Sequence, residues 1–123
     1  MTRLLFILLL LWPAGAFGET GLASWYSRAS CKAEGTSGVM ANRRPLDDRR
    51  LTCASWNYPL GTRLQVSAAG GRKIVCVVTD RGPGKGALRA GVVIDLSRAA
   101  FLRLAPLAKG RVKVTVTEMR RNP

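Results

Sequence analysis

Asp80 and Arg81 stand in the stretch TDRGPGKG, Thr79 to Gly86, between the apolar runs KIVCVV and AGVVIDLS. A carboxylate and a guanidinium beside a glycine-rich turn suit a phosphate cradle, a structural turn, or one wall of an active site. The first is excluded. A phosphate loop needs GxxxxGK followed by Ser or Thr at a helix start, whereas Lys85 is followed by Gly86 and Ala87. What remains is an aspartate at a strand end, ahead of the tight turn Arg81-Gly82-Pro83. Its carboxylate either bonds the backbone of its own turn or faces a ligand. Asp95, in Ile94-Asp95-Leu96-Ser97, is a second carboxylate between a strand and a helix start, where it is also placed to cap the helix beside Ser97. Asp47 and Asp48 lie amid Arg43, Arg44, Arg49 and Arg50, the pattern of a solvated charge cluster.

The elements that must position these groups are mostly strands. GLASWYS (Gly21 to Ser27) alternates in strand fashion, and a polar, Gly-rich loop follows from Arg28 to about Arg50. TRLQVSA (Thr62 to Ala68), the turn AGG and KIVCVVTD form a hairpin with a Gly-Gly connection. RAAFLRLAPLAKG carries a helical stripe of Ala99, Ala100, Leu102 and Leu104 with Ser97 as N-cap, and Pro106 and Gly110 stop it. In RVKVTVTEM, Val112, Val114 and Val116 alternate with Lys113, Thr115 and Thr117, a half-buried strand. Several short strands with one or two short helices predict a small closed β-barrel, since closure removes sheet edges.

With 123 residues the chain has room for one domain. It opens with Arg3, the apolar run Leu4 to Trp12 and the small residues Ala14, Gly15, Ala16 and Gly18. That is the pattern of a secretory signal peptide over residues 1–18, with 19–123 as an exported, soluble, monomeric domain that keeps no membrane insertion after cleavage. Twenty basic against seven acidic residues give a net charge of +13, of which the leader carries only Arg3. Such a charge binds polyanions; export rules against nucleic acid and points to an anionic cell envelope. Cys31, Cys53 and Cys76 are an odd number. Cys76 sits in strand sequence and reads as a buried thiol, which leaves Cys31 and Cys53 as the expected disulfide, contributing about 3 kcal/mol. With no His and no closely spaced Cys pair, a metal site is not expected, and no cofactor is called for.

GLASWYS, MANRRPLDDRRLTCASWNYPLGTRLQV, VVTDRGP and VIDLSRAAFLRLAPLAKGRVKVTV occur in an order and spacing that resemble the rare lipoprotein A (RlpA)-like family over nearly all of residues 19–123. The resemblance implies a six-stranded double-psi β-barrel, export to the periplasm or beyond, association with the cell wall, and peptidoglycan glycan strands as substrate. Active members are lytic transglycosylases, which cleave the strand without water and leave a 1,6-anhydromuramyl end. IDLSRAAF is similar to the HFDLS segment of plant expansins and family 45 glycoside hydrolases, which makes Asp95 the candidate acid. The family's T-A-S-G-E-x-F-D and L-T-A-A-H patterns, set without gaps on Met40 to Ser55, place Asp47 on the Asp, Arg44 on the Glu and Ser55 on the His.

Cleaving a glycosidic bond requires protonation of the leaving oxygen and stabilisation of an oxocarbenium-like centre. One acid suffices in a transglycosylase, because its carboxylate then takes the proton of the sugar's own 6-hydroxyl. The expected catalytic set is therefore Asp95 as acid/base, Asp80 as electrostatic or orienting partner, and Asp47. Trp25, Tyr26, Trp56 and Tyr58 stack on sugar faces or fill the core, and Arg81 either binds muramyl carboxylates or pairs with Asp80. Two functions remain open: a transglycosylase with a reduced acid/base set, and a wall-binding barrel that has lost the family's Glu and His.

Overall fold

Valine, isoleucine and leucine at alternate positions build the walls. In the computed structural model, which describes Gly18 to Arg120, six strands form: β1 (Glu19–Tyr26), β2 (Thr52–Ala54), β3 (Arg63–Ala68), β4 (Lys73–Asp80), β5 (Val92–Ser97) and β6 (Val112–Glu118). They close in the order β1-β5-β2-β4-β3-β6. β1 runs parallel to β5 and β2 to β4, and the other neighbours are antiparallel. Ala23, Leu64, Val66, Ile74, Val78, Ile94, Leu96, Val114 and Val116 point inward and fill the barrel. The expected mainly β, six-stranded barrel is the observed one. The predicted leader lies, apart from Gly18, outside the described residues, and no described helix is long and apolar enough to cross a membrane.

Three short α-helices occur rather than one or two: α1 (Arg28–Ala33), α2 (Lys85–Arg89) and α3 (Arg98–Leu102), with a 3-10 turn at Leu107–Lys109. α1 opens the stretch expected to be loop. It forms because Ser27 and Ser30 make a reciprocal cap, each hydroxyl accepting from the other's backbone N–H. Ser97 caps α3 as expected, its Oγ accepting from Ala100 N at 3.2 Å. The buried face of this segment is Ala100, Phe101, Leu104 and Ala105, whereas Leu102, expected in the stripe, is 45% exposed. Phe101 heads the largest fully buried side chains. Pro106 precedes the 3-10 turn and Gly110 ends it. Gly70 and Gly71 both take φ of +87° in the β3–β4 turn, a conformation that penalises any side chain.

The cysteines correct an expectation. Cys53 lies on the inner side of β2, and Cys76 donates to its sulfur at 3.1 Å. All three are free thiols, and Cys31 stands half-buried on α1. The structure thus brings Cys53 to Cys76 and not to Cys31. The sequence around Cys53 reads as loop because β2 is only three residues long and buried throughout, so it shows no alternation.

Candidate active site

Strand register brings two of the three aspartates together. Ser24 of β1 pairs with Asp95 of β5, Asp95 pairs with Ala54 of β2, and Ala54 pairs with Asp80 at the end of β4. The four residues make one row across four strands. Two strand spacings, roughly 10 Å, separate the backbones of Asp95 and Asp80, and the small side chain of Ala54 lies between them. Tyr26, two residues beyond Ser24, reaches over from β1. A cleft of about 220 Å³ opens above the row, lined among others by Tyr26, Cys31, Glu34, Asp80, Arg81 and Asp95. A larger depression of about 520 Å³, between Pro59–Arg63 and Glu118–Arg120, has Glu118 as its one carboxylate, beside Arg63 and Arg120, and offers no acid/base pair.

The two carboxylates sit in different surroundings. Asp95 accepts one hydrogen bond, from Ser24 Oγ at 3.0 Å. Burial first, opposed by the Ser24 bond and helped by the charges of Glu34 and Asp80, pushes its pKa from 3.8 to about 6. It does not cap α3, which Ser97 does. Asp80 is held by three donors: Tyr26 Oη on Oδ2 at 2.9 Å, and Ala41 N and Arg81 N on Oδ1 at 2.9 and 2.8 Å. Asp80 thus bonds the backbone of its own turn and also lines the cleft. Burial, and then the negative charge of Asp80, keep the Tyr26 phenol protonated.

The other expected site residues separate. Asp47 lies at the surface outside the cleft, where the backbone N–H and then the side chain of Arg49 hold its carboxyl below the usual range. Arg81 lines the cleft, but its Nη1 donates to the carbonyls of Ser55 and Tyr58 and not to Asp80, so the guanidinium braces the 55–58 loop. Trp25 packs against the core, its Nε1 donating to Leu107 O at 3.2 Å. Tyr58 is half-buried against the core and does not line the cleft. Trp56 is 56% exposed, and its Nε1 donates to Pro83 O at 2.7 Å. It flanks the cleft, since Gly82 and Gly84 on either side of Pro83 line it.

Ser24, which donates to Asp95, and Glu34, which lines the cleft, went unread in the sequence. Ser24 carried a signal, as it shares the outward phase of β1 with Tyr26. Glu34 carried none, since it is placed by the C-terminal cap of α1. At the positions aligned with the family's Glu and His, Arg44 is exposed, while Ser55 is buried and accepts from Asn57 N. Neither lines the cleft. Arg43 adopts φ +70° at the position aligned with the pattern's Gly, which fits the gap-free alignment.

A family described as lytic transglycolase matches residues 18–116. The chain is 37% identical over 81 residues to an uncharacterised Synechocystis protein, covering 65% of this chain and 81% of that one. It is 36% identical over 99 residues to the endolytic peptidoglycan transglycosylase RlpA of Yersinia pestis, and 32% over 102 residues to that of Rickettsia bellii. These matches take in 80% and 82% of this chain but only 25% and 42% of the two RlpA proteins. Among solved structures, a Streptomyces papain inhibitor superposes with a TM-score of 0.63 at 28% identity, over 85% of this chain and 96% of that one. An expansin of Clavibacter michiganensis superposes at 0.60 and 24% identity, over 87% and 52%, a likeness of fold. With barrel order, cleft and family match in agreement, the chain belongs to the RlpA-like family of double-psi β-barrel lytic transglycolases.

Proposed function

We propose that this protein is an exported, wall-associated peptidoglycan lytic transglycosylase in which Asp95 serves first as acid and then as base. The observation that carries the reading is Asp95 itself, a carboxyl with a pKa of about 6 in a cleft shared with a second, firmly oriented aspartate. An acid working near neutral pH needs a pKa in that range. The Asp95 carboxyl gives its proton to the glycosidic oxygen as the bond to muramyl C1 breaks. Asp80, fixed by Tyr26, Ala41 and Arg81, offers negative charge to the oxocarbenium-like centre. The 6-hydroxyl of the same sugar then closes on C1, its proton returns to Asp95, and a 1,6-anhydro end results with no water consumed. Trp56 offers a stacking face at the rim of the cleft. Asp47, bonded to Arg49 outside the cleft, has no part in these steps.

The basic charge and the leader-like N-terminus support export and retention on an anionic wall. A second reading, a barrel that binds glycan without cleaving it, is favoured by the absence of Glu and His at the aligned positions, Arg44 and Ser55. The fold neighbours suit it too, since a mutant of the Clavibacter expansin was solved with cellohexaose. Digestion of purified sacculi, intact and stripped of stem peptides, separates the two. Mass spectrometry should find anhydro ends with the wild type and none with Asp95→Asn. Sedimentation on sacculi without any new ends from the wild type would leave the binding barrel.

A further inference from the structure

Two of the three sulfurs meet inside the barrel. Cys53 and Cys76 are both wholly buried, with their sulfurs 3.1 Å apart. β2 and β4 are neighbouring parallel strands, and Cys53 pairs with Val78, one inward position beyond Cys76. Both side chains therefore occupy the inner face, where each sulfur meets the other. Cys31 is elsewhere, at the wall of the cleft with Glu34, Asp80 and Asp95.

We propose that Cys53 and Cys76 become joined by a disulfide when the chain folds in contact with a small-molecule or protein disulfide oxidant, leaving Cys31 as the single free thiol beside the cleft. One cysteine, as thiolate, attacks the oxidant's disulfide, forming a mixed disulfide and releasing one thiol. The second cysteine attacks the protein-side sulfur, forms the Cys53–Cys76 bond and expels the second thiol. The oxidant gains two electrons and ends as two thiols, and the protons lost by the cysteines balance those the leaving thiolates take up.

The barrel dictates when this occurs. Once it is closed, contact with Cys76 and then burial hold the Cys53 thiol protonated, and no oxidant reaches either sulfur. Exchange belongs to the stage before β2 docks on β4. The same closure then shields the finished bond from reductants until the barrel opens. The bond ties together the strands that carry Ala54 and Asp80, and so fixes the floor of the cleft. This inference rests on the barrel alone and is independent of the catalytic reading.

The test is to unfold and reduce the full chain, refold it in a glutathione redox buffer, alkylate it under denaturing conditions and map the non-reduced digest. The expected result is one alkylated cysteine, Cys31, with the peptides of Cys53 and Cys76 linked, and an unchanged link in Cys31→Ser. Thermal unfolding of the oxidised protein should lie about 10 °C or more above that of the reduced protein. A link that includes Cys31, or a folded barrel in which all three cysteines are alkylated, overturns it.

Discussion

At the residue scale, the site rests on unequal treatment of two aspartates, and pH exposes it. Burial disfavours charged Asp95, so the folded state holds its proton up to about pH 6 while the unfolded chain loses it near 3.8. Between those values the native state binds more protons than the unfolded one, and stability falls as pH rises through that window. The loss above the window is at most about 3 kcal/mol. Asp95→Asn keeps an acceptor for Ser24 without the charge. It should be more stable than the wild type at pH 7.5 and lose that advantage below pH 4, as denaturant unfolding at the two pH values would reveal. Tyr26→Phe removes one of the three donors on Asp80. It should lower glycan cleavage by roughly 10-fold while leaving the fold intact; an unchanged rate would remove Asp80 orientation from the mechanism. Asp80 and Asp95 were legible because each sits in a motif, Asp80 at the end of β4 and Asp95 within β5, two residues before its end. Glu34 was not, since only the packing of α1 brings it to the cleft.

At the element scale, strands with a solvent face announced themselves and elements without periodicity did not. β3, β4, β5 and β6 are long enough for buried residues to alternate with less buried ones. β2 is buried at all three positions, and α1 has six residues and no buried face, so neither shows a pattern. The pairing of Cys53 with Cys76 is hidden for the same reason. The α3 junction gives a direct test, because Ser97 Oγ accepts from Ala100 N and donates to Arg50 O at 2.6 Å while fully buried. Ser97→Ala leaves Ala100 N without its cap and removes one of the two donors on Arg50 O, the other being Thr52 N at 3.1 Å, and should cost about 2 kcal/mol. Arg43, at φ +70°, makes the opposite prediction. Arg43→Gly should be neutral or stabilising by up to about 1 kcal/mol, read from the same denaturant curves.

At the scale of the whole molecule, a chain with net charge +13 carries a cleft whose ionisable lining is mainly Glu34, Asp80 and Asp95. On the proposed reading, attachment to an anionic wall and chemistry on the glycan fall to different surfaces. Binding to sacculi should weaken steadily with added salt. Trp56→Ala should reduce binding of stem-stripped glycan without altering that salt dependence, and a co-sedimentation series resolves both. The barrel class was legible because alternation and turn residues agree along the chain, whereas the cleft depends on register between strands far apart in sequence. The measurement that bears most directly on the catalytic account is the rate of anhydro-end release from stem-stripped sacculi, followed from about pH 4.5 to 8 for wild type and Asp95→Asn. Release that declines as pH rises through about 6, and that is lost in the variant at every pH, is the predicted result. Equal release by the variant, or none from a wild type that still sediments with the wall, would contradict it.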